Sequence, residues 1–270
     1  FNNLEEKTMK KVIAVICAFA LVACMFAGCG AKKTETSDLE YVKEKGTLVV
    51  GITEFEPMDY KQAGSDEWVG FDADMARAFA KSLGVDVKFV LIDWDNKALE
   101  LSDKKIDCAW NGMTLTDEVK SSMDCTKAYC NNGQVVIVNK DVADKYNTVE
   151  ACKDLKFAVE AGSAGEKAAK ENGFNITSVS DQASALLEVK SGTCDAAVID
   201  RLMAAAMVGE GTNYANLTYT VNLCDEEYGI GFRKGSDLVE KANEFLAASA
   251  ADGTMEKIAE QYGVQASIIK

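Results

Sequence analysis

The chain of 270 residues contains no histidine and a single proline, Pro57. Without an imidazole, catalytic triads that use histidine as the base are excluded, and so are most zinc and haem sites. Basic residues are also scarce, because 29 Lys and Arg are set against 43 Asp and Glu, for a net charge of -14. Such a field repels nucleic acids and anionic lipid, so non-specific binding to DNA or RNA is excluded as the main function.

What is present is enough apolar sequence for a folded core. Hydrophobic residues make up 48% of the chain and charged residues 27%, and the length favours two domains. Cysteines are scattered without a CxxC motif, and several have apolar neighbours, which favours isolated core thiols over disulfides. No pattern indicates a cofactor or a metal site.

The segment MKKVIAVICAFALVACMFAGC, residues 9–29, is typical of a secretion signal. Two lysines precede an uncharged apolar run, and small residues precede a cysteine. The run of about 16 residues is shorter than the ~20 that a permanent transmembrane helix needs. We therefore predict that residues 1–28 are a signal peptide with an upstream extension, and that residues 29–37 are a polar tether.

The end of this run resembles a bacterial lipobox, in which a cysteine after small residues becomes lipid-modified. Both Cys29 and Cys24 are candidates, and Cys24 fits the pattern letter by letter. Cys29 is preferred because cleavage there places the flexible polar stretch directly after the anchor. Since two acyl chains suffice for stable anchoring, the predicted location is outside the cytoplasmic membrane, attached to it as a lipoprotein.

From Asp38 onward, short apolar runs alternate with amphipathic stretches, which predicts an α/β fold. Asp72 is expected to cap or favour the start of one helix and Gly84 to end it. Near the carboxyl end, LTYTVN and YGIGF are predicted as separate strands with CDEE between them, and the last two helices are expected to pack back on the first unit. The predicted organisation is lobe 1 over residues 38–130 and 229–270, lobe 2 over residues 134–225, and hinges near 130–134 and 225–229.

Two predicted strand-to-helix turns suit an anion. Gly112–Glu118 and Ala161–Gly165 each follow an apolar strand with small or hydroxyl residues, which leave backbone N–H groups uncovered at the positive end of a helix. Ordinary helix capping would explain either turn alone. If the two turns face each other across a cleft, ligand binding is the better interpretation.

Aromatic and acidic residues mark the same edge of the predicted sheet. Phe55, Trp94 and Trp110 sit at strand ends, where open α/β sheets place ligands, although each also fits a core position. Asp200 follows an apolar strand and fits either a helix N-cap or an acceptor for an ammonium group.

Several segments are familiar as a series: TLVVGITEFEPMDY, EWVGFDADMARAFAKSLGV, GMTLTDEVKSSMD, AVEAGSAGEKAA, DAAVID, YGIGFRKGSDL and ADGTMEKIAEQYG. In order and spacing they resemble the bacterial extracellular solute-binding proteins that serve polar amino-acid ABC importers, over nearly all of residues 38–263. The resemblance implies a type II periplasmic-binding-protein-like fold, with two lobes joined by a two-strand hinge and a cleft between them. It also implies a small polar amino acid as ligand, an ABC permease as partner, and no catalysis. By position, the implied ligand-binding residues are Phe55, Trp94, Asn111, Gly112, Thr114, Gly162, Ser163, Ala164 and Asp200.

The chain departs from the family pattern at two places. Relatives usually carry an arginine that grips the α-carboxylate where this chain has Val119, which leaves open a ligand that lacks an α-carboxylate. Arg201 is the possible carboxylate partner, with Lys127 as a second candidate. Glu160 stands where some glutamine-binding relatives have a lysine and, together with Glu54, disfavours an acidic ligand.

Two alternatives to a transport-binding protein remain. One is an enzyme on the same scaffold, similar to the cyclohexadienyl dehydratases, which would need Glu54, Glu160 or Asp200 as general acid or base. The other is a sensor domain that presents its ligand to a signalling partner. Capture of an amino acid for an importer is the leading interpretation.

Overall fold

The computed structural model describes residues 37–269. The predicted signal peptide, both lipidation candidates (Cys24 and Cys29) and nearly all of the predicted tether lie outside these residues. Within the described part, no helix combines the length and apolar character needed to cross a membrane. The six cysteines of this part are free, and four of them are buried.

Helices and strands alternate along most of the described chain, as the sequence pattern predicts. The first half contains α1 Asp38–Lys45, β1 Thr47–Ile52, β2 Tyr60–Lys61, β3 Trp68–Val69, α2 Phe71–Leu83, β4 Asp86–Leu91, a 3-10 turn Trp94–Asn96, α3 Lys97–Ser102, β5 Cys108–Thr114, α4 Asp117–Ser122, β6 Asp124–Cys125 and β7 Cys130–Asn139. The second half contains a 3-10 turn Lys140–Lys145, α5 Val149–Cys152, β8 Lys156–Glu160, α6 Ala164–Glu171, β9 Asn175–Val179, α7 Gln182–Ser191, β10 Ala196–Asp200, α8 Arg201–Met207, β11 Leu217–Phe232, α9 Leu238–Ala251, α10 Thr254–Tyr262 and a 3-10 turn Gln265–Ser267.

One curled sheet of nine strands connects both ends of the molecule, in the order β4-β1-β5-β11-β7-β10-β8-β9, with β6 beside β11. Strand β1 pairs in parallel with β4 and β5 at one end, and β8 pairs in parallel with β9 and β10 at the other. Helices join the parallel strands, as parallel pairing requires. The result is the predicted two-lobed α/β architecture, with a parallel group in each lobe and long antiparallel strands between them.

The longest strand, β11, differs from the prediction. The segments expected as two strands form one strand over Leu217–Phe232, because the intervening CDEE contains no glycine or proline to turn the chain. Strand β11 pairs antiparallel with β7, and Asp225 lies opposite Gly133 while Tyr228 lies opposite Cys130. The two segments predicted as hinges therefore run side by side, although the lobe boundaries themselves stay a prediction.

The last two helices pack against α2, which belongs to the first part of the chain. The rings of Phe79 and Phe245 have their centroids 5.3 Å apart. The hydroxyl of Tyr262 donates to Asp74 at 2.7 Å. These contacts pack one face of α2 against the last two helices of the chain. This agrees with the expectation that those helices pack back on the first unit.

Asp72 lies in the first turn of α2, as the second of its two predicted roles requires, but it does not cap the helix. The N-cap of α2 is Gly70, without a side-chain cap, whereas Gly84 ends the helix in the left-handed conformation as predicted. The carboxylate of Asp72 is fully buried and accepts from the Gly112 N–H at 2.6 Å and from the Tyr129 hydroxyl. Asp72 therefore ties the helix to strand β5 beneath the site described next.

Candidate functional site

One cavity of about 420 Å³ opens where several parallel strands reach their carboxyl ends. This is the edge at which open α/β sheets bind ligands. Residues at the ends of β5, β8 and β10, and Phe55 shortly after β1, contribute to its lining. All nine residues predicted to bind a ligand line this cavity: Phe55, Trp94, Asn111, Gly112, Thr114, Gly162, Ser163, Ala164 and Asp200.

The wall formed by the ends of β1 and β5, here called the first wall, is built from Phe55, Asn111, Gly112 and Thr114. The Phe55 ring is 2% exposed and packs edge-on against Tyr228, with their centroids 6.3 Å apart. Asn111 is bound on both sides of its amide, accepting from Thr53 and donating to Thr53 and to Asp59. It therefore fixes the wall and has little left to offer a ligand.

Gly112 has a structural role that the prediction did not foresee. Its N–H, expected to face a ligand, donates to the buried Asp72. Its φ of +56° favours glycine, and a Cβ at this position would lie 2.6 Å from the Phe55 ring. Gly112 therefore lets the aromatic ring lie directly on the backbone, while Thr114 keeps a half-buried hydroxyl on the cavity.

The wall formed by β8 and the start of α6, here called the second wall, presents a helix amino terminus. Ser163 caps α6 by accepting from the Glu166 N–H at 3.0 Å, and Glu166 accepts from the Gly162 N–H at 3.2 Å. In the described residues no acceptor is recorded for the N–H of Ala164, which lines the cavity. The turn thus combines ordinary capping with an uncovered donor at the positive end of a helix.

Asp200 lies at the N-cap position of α8 but makes no side-chain cap there, so the capping alternative is wrong. Its carboxylate is 6% exposed and accepts from four side chains, Asn132, Gln134, Gln182 and Tyr228. Burial and the neighbouring Glu226 raise the pKa of Asp200 well above its usual value. An ammonium group arriving in the cavity would favour the charged form of this carboxylate.

Arg201 does not line the cavity, contrary to its predicted role as a carboxylate partner. Its guanidinium is held by Asp225 at 2.9 Å and by the carbonyl of Asn132 at 2.8 Å. Lys127 is exposed and also lies outside the lining. The cations that do line the cavity are lysines that sequence reasoning missed, at positions 97, 167 and 170.

Lys97 is the most enclosed of these lysines. Its Nζ donates to the Trp94 carbonyl at 2.8 Å and lies 5.6 Å from the centre of the Trp94 ring. Burial lowers the pKa of Lys97, and the nearby Glu118 and Asp95 oppose that shift. Trp94 itself is 8% exposed and forms the cavity wall that the sequence predicted.

Of the other positions that the sequence singled out, some line the cavity and others do not. Val119 lines the cavity and packs with Met113 and Met123, so no cation is present where relatives carry an arginine. Trp110, an aromatic at a strand end, is fully buried in the core instead. Glu54 lies outside the lining, whereas Glu160 is part of it and only 2% exposed.

Sequence reasoning also missed the side chains that hold Asp200. Gln182 binds it at both ends of its amide, since its Oε1 accepts from the Asp200 N–H at 2.8 Å and its Nε2 donates to the carboxylate. Asn132 and Gln134 alternate along β7 and therefore point to the same face. Polar residues at alternate positions of an otherwise apolar strand were the available signal.

Comparison with known proteins identifies the family of this chain. The family model for bacterial extracellular solute-binding proteins, family 3, matches residues 48–265. The L-cystine-binding protein TcyJ of Escherichia coli (strain K12) is 28% identical over 263 residues, which are 96% of this chain and 96% of that protein.

Solved structures give the same result. The crystal structure of the ancestral amino acid-binding protein AncCDT-1, a precursor of cyclohexadienyl dehydratase, is 36% identical with a TM-score of 0.76, over 84% of this chain and 99% of that chain. An ABC uptake transporter substrate-binding protein from Streptococcus pneumoniae with bound histidine is 26% identical with a TM-score of 0.80, over 88% of this chain and all (100%) of that chain. This chain therefore belongs to the bacterial extracellular solute-binding proteins, family 3.

Proposed function

We propose that this protein captures a small polar amino acid outside the cytoplasmic membrane and delivers it to an ABC-type importer. The observation that carries the proposal is that one cavity presents both a partner for an anionic group and a partner for a cationic group. The start of α6 offers the uncovered N–H of Ala164, beside the capping hydroxyl of Ser163, to an α-carboxylate, and the carboxylate of Asp200 suits an α-ammonium. Phe55 and Trp94 enclose the apolar part of the ligand.

Closure of two lobes about the paired strands β7 and β11 is the proposed mechanism. Ligand contacts on both walls are complete only in the closed arrangement, so the ligand shifts the population toward it. A close approach across the cavity supports this, because Asp95 lies so near Gly162 that a Cβ there would be 2.5 Å from the Asp95 carboxylate. A membrane permease would then recognise the closed form.

Calorimetric titration of the full chain with the polar amino acids tests the proposal. At least one of them is expected to bind, raise the melting temperature and shrink the scattering radius of the protein. Prephenate and arogenate, substrates of the alternative dehydratase activity, are expected to stay unconverted. The proposal fails if every amino acid leaves the melting temperature and the scattering radius unchanged at millimolar concentration.

Anchoring through a lipid on Cys29 is proposed as well, with Cys24 as the alternative. Family membership supports a location outside the cytoplasm, and an anchor would keep the protein near its importer. Labelling of cells with a radioactive fatty acid should mark the wild-type chain and Cys24→Ala, but not Cys29→Ala. Labelling that persists in Cys29→Ala and disappears in Cys24→Ala would assign the anchor to Cys24.

A further inference from the structure

Glu160 is a buried carboxyl group that the protein satisfies only in part. It ends strand β8, lines the cavity and is 2% exposed. Its Oε1 has no hydrogen-bond partner among the described residues. Burying a carboxyl group in this way costs free energy, so a ligand that satisfies it gains affinity.

Two of the polar side chains near Glu160 also bond to other residues. Thr53 donates its hydroxyl to Asn111 at 2.8 Å. Gln182 uses both ends of its amide on Asp200. Burial raises the pKa of Glu160 to about 8, and hydrogen bonding by Thr53, Gln182 and Trp94 opposes this shift only in part.

Charge around the cavity favours a cation. Three lysines line it, and two of these are engaged, Lys97 with the Trp94 carbonyl and Lys170 with Glu166 at 2.9 Å. Outside the lining, Asp181 adds a further negative charge near Glu160. The carboxyl groups that line the cavity are Asp95, Glu118, Glu160, Glu166, Glu171 and Asp200.

We propose that Glu160 selects a dibasic ligand by binding the cationic end of its side chain, while Asp200 binds the α-ammonium. This inference rests on the proposed function and names the class of amino acid, such as arginine or lysine. The amide of Gln182 bonds to Asp200 and also contacts Glu160, so the two acceptors are neighbours on the cavity. A ligand with one cation at each end satisfies both acceptors at once.

The decisive experiment compares ligands that differ in one charged group. Calorimetry on the full chain would use L-arginine, L-citrulline, which replaces the guanidinium with a neutral urea, and agmatine, which lacks the carboxylate. Arginine is expected to bind at least about tenfold more tightly than citrulline, as a charge-assisted bond implies. Citrulline that binds as tightly as arginine would overturn the inference.

Two variants localise the effect. Glu160→Gln is expected to weaken arginine binding roughly ten- to hundredfold and to leave citrulline binding nearly unchanged. Glu44→Gln makes the same substitution at an exposed position outside the cavity and should keep the preference for arginine. Unchanged arginine affinity in Glu160→Gln contradicts the inference; should that variant not fold, the wild-type comparison of arginine with citrulline decides alone.

The outcomes separate this inference from the proposed function. Binding of a neutral amino acid without binding of arginine or lysine would leave the proposed function standing and overturn the role of Glu160. Agmatine that binds as tightly as arginine would support the role of Glu160 and count against recognition of an α-carboxylate. No binding by any amino acid would overturn both.

Discussion

Gly112 and Gly162 illustrate how the two walls of the cavity differ. Each glycine lies within two residues of the end of an apolar strand, has a positive φ and is close to another part of the chain. The space that a Cβ would fill at Gly112 is occupied by the Phe55 ring of the same wall, whereas at Gly162 it is occupied by Asp95 from the opposite side. The first glycine therefore builds a wall, and the second lets two walls meet.

The polar groups of the two walls differ in the same way. In the first wall, the side-chain amide of Asn111 donates to Thr53 and Asp59, and the N–H of Gly112 donates to Asp72. In the second wall, Ala164 has an uncovered N–H and Glu160 an unpartnered oxygen. We infer that the first wall is a preformed shape and that the second wall supplies most of the polar recognition.

Gly162→Ala should break the contact between the walls. Among the proposed variants, it has the largest expected effect on binding. An alanine Cβ would lie 2.5 Å from the Asp95 carboxylate and 2.8 Å from its backbone nitrogen, so the closed arrangement would have to open slightly. The positive φ strains alanine in every arrangement, and the clash adds about 1–3 kcal/mol to the closed state, which corresponds to roughly five- to 150-fold weaker binding. Calorimetry for affinity and small-angle scattering for closure measure this effect.

Gly112→Ala is the matched control for that prediction. Its Cβ would overlap the Phe55 ring in every arrangement of the lobes, so the ligand-free protein should lose about 1–3 kcal/mol of unfolding free energy. Urea unfolding of both variants makes the comparison. Equal loss of stability in the two, with equal affinity, would show that Gly162 does not mediate contact across the cavity.

The fold was largely predictable because local patterns and tertiary packing agree. Strands β1, β8 and β9 have the bounds that their apolar runs indicate, and the terminal helices pack where their lack of strand partners predicts. The prediction was wrong for β11, which runs unbroken through CDEE. Pairing with β7 along its length satisfies the backbone of that polar segment, and a partner strand is not visible in local sequence.

For the site, sequence predicted which residues lie on the cavity but less of what each does there. The family resemblance predicts well where a residue lies, because its position follows from the fold. It does not reveal that Gly112 donates to Asp72 or that Arg201 is held by Asp225, because both depend on partners distant in sequence. Gln182, which fixes Asp200, was missed for the same reason.

The difference between the walls also predicts that the free energy of unfolding depends on pH. The expected change is smaller than the largest effect expected of the glycine variants. Burial raises the pKa of Glu160 from 4.5 to about 8, so the native state keeps a proton that the unfolded chain releases. The stabilisation of the native state by this retained proton is complete below about pH 4.5 and is lost as the pH rises to about 8. For this group alone, the free energy of unfolding should fall by about 2 kcal/mol between pH 6 and pH 8.

Subtracting the stability of Glu160→Gln from that of the wild type isolates this contribution, because burial raises the pKa of Asp59, Asp72 and Asp200 in the same direction in both proteins. Urea unfolding at several pH values provides the difference curve, which should slope downward for the ligand-free chain. A flat curve for Glu160→Gln would mean that water or another donor reaches this carboxyl group, and the second wall would then be as fully satisfied as the first.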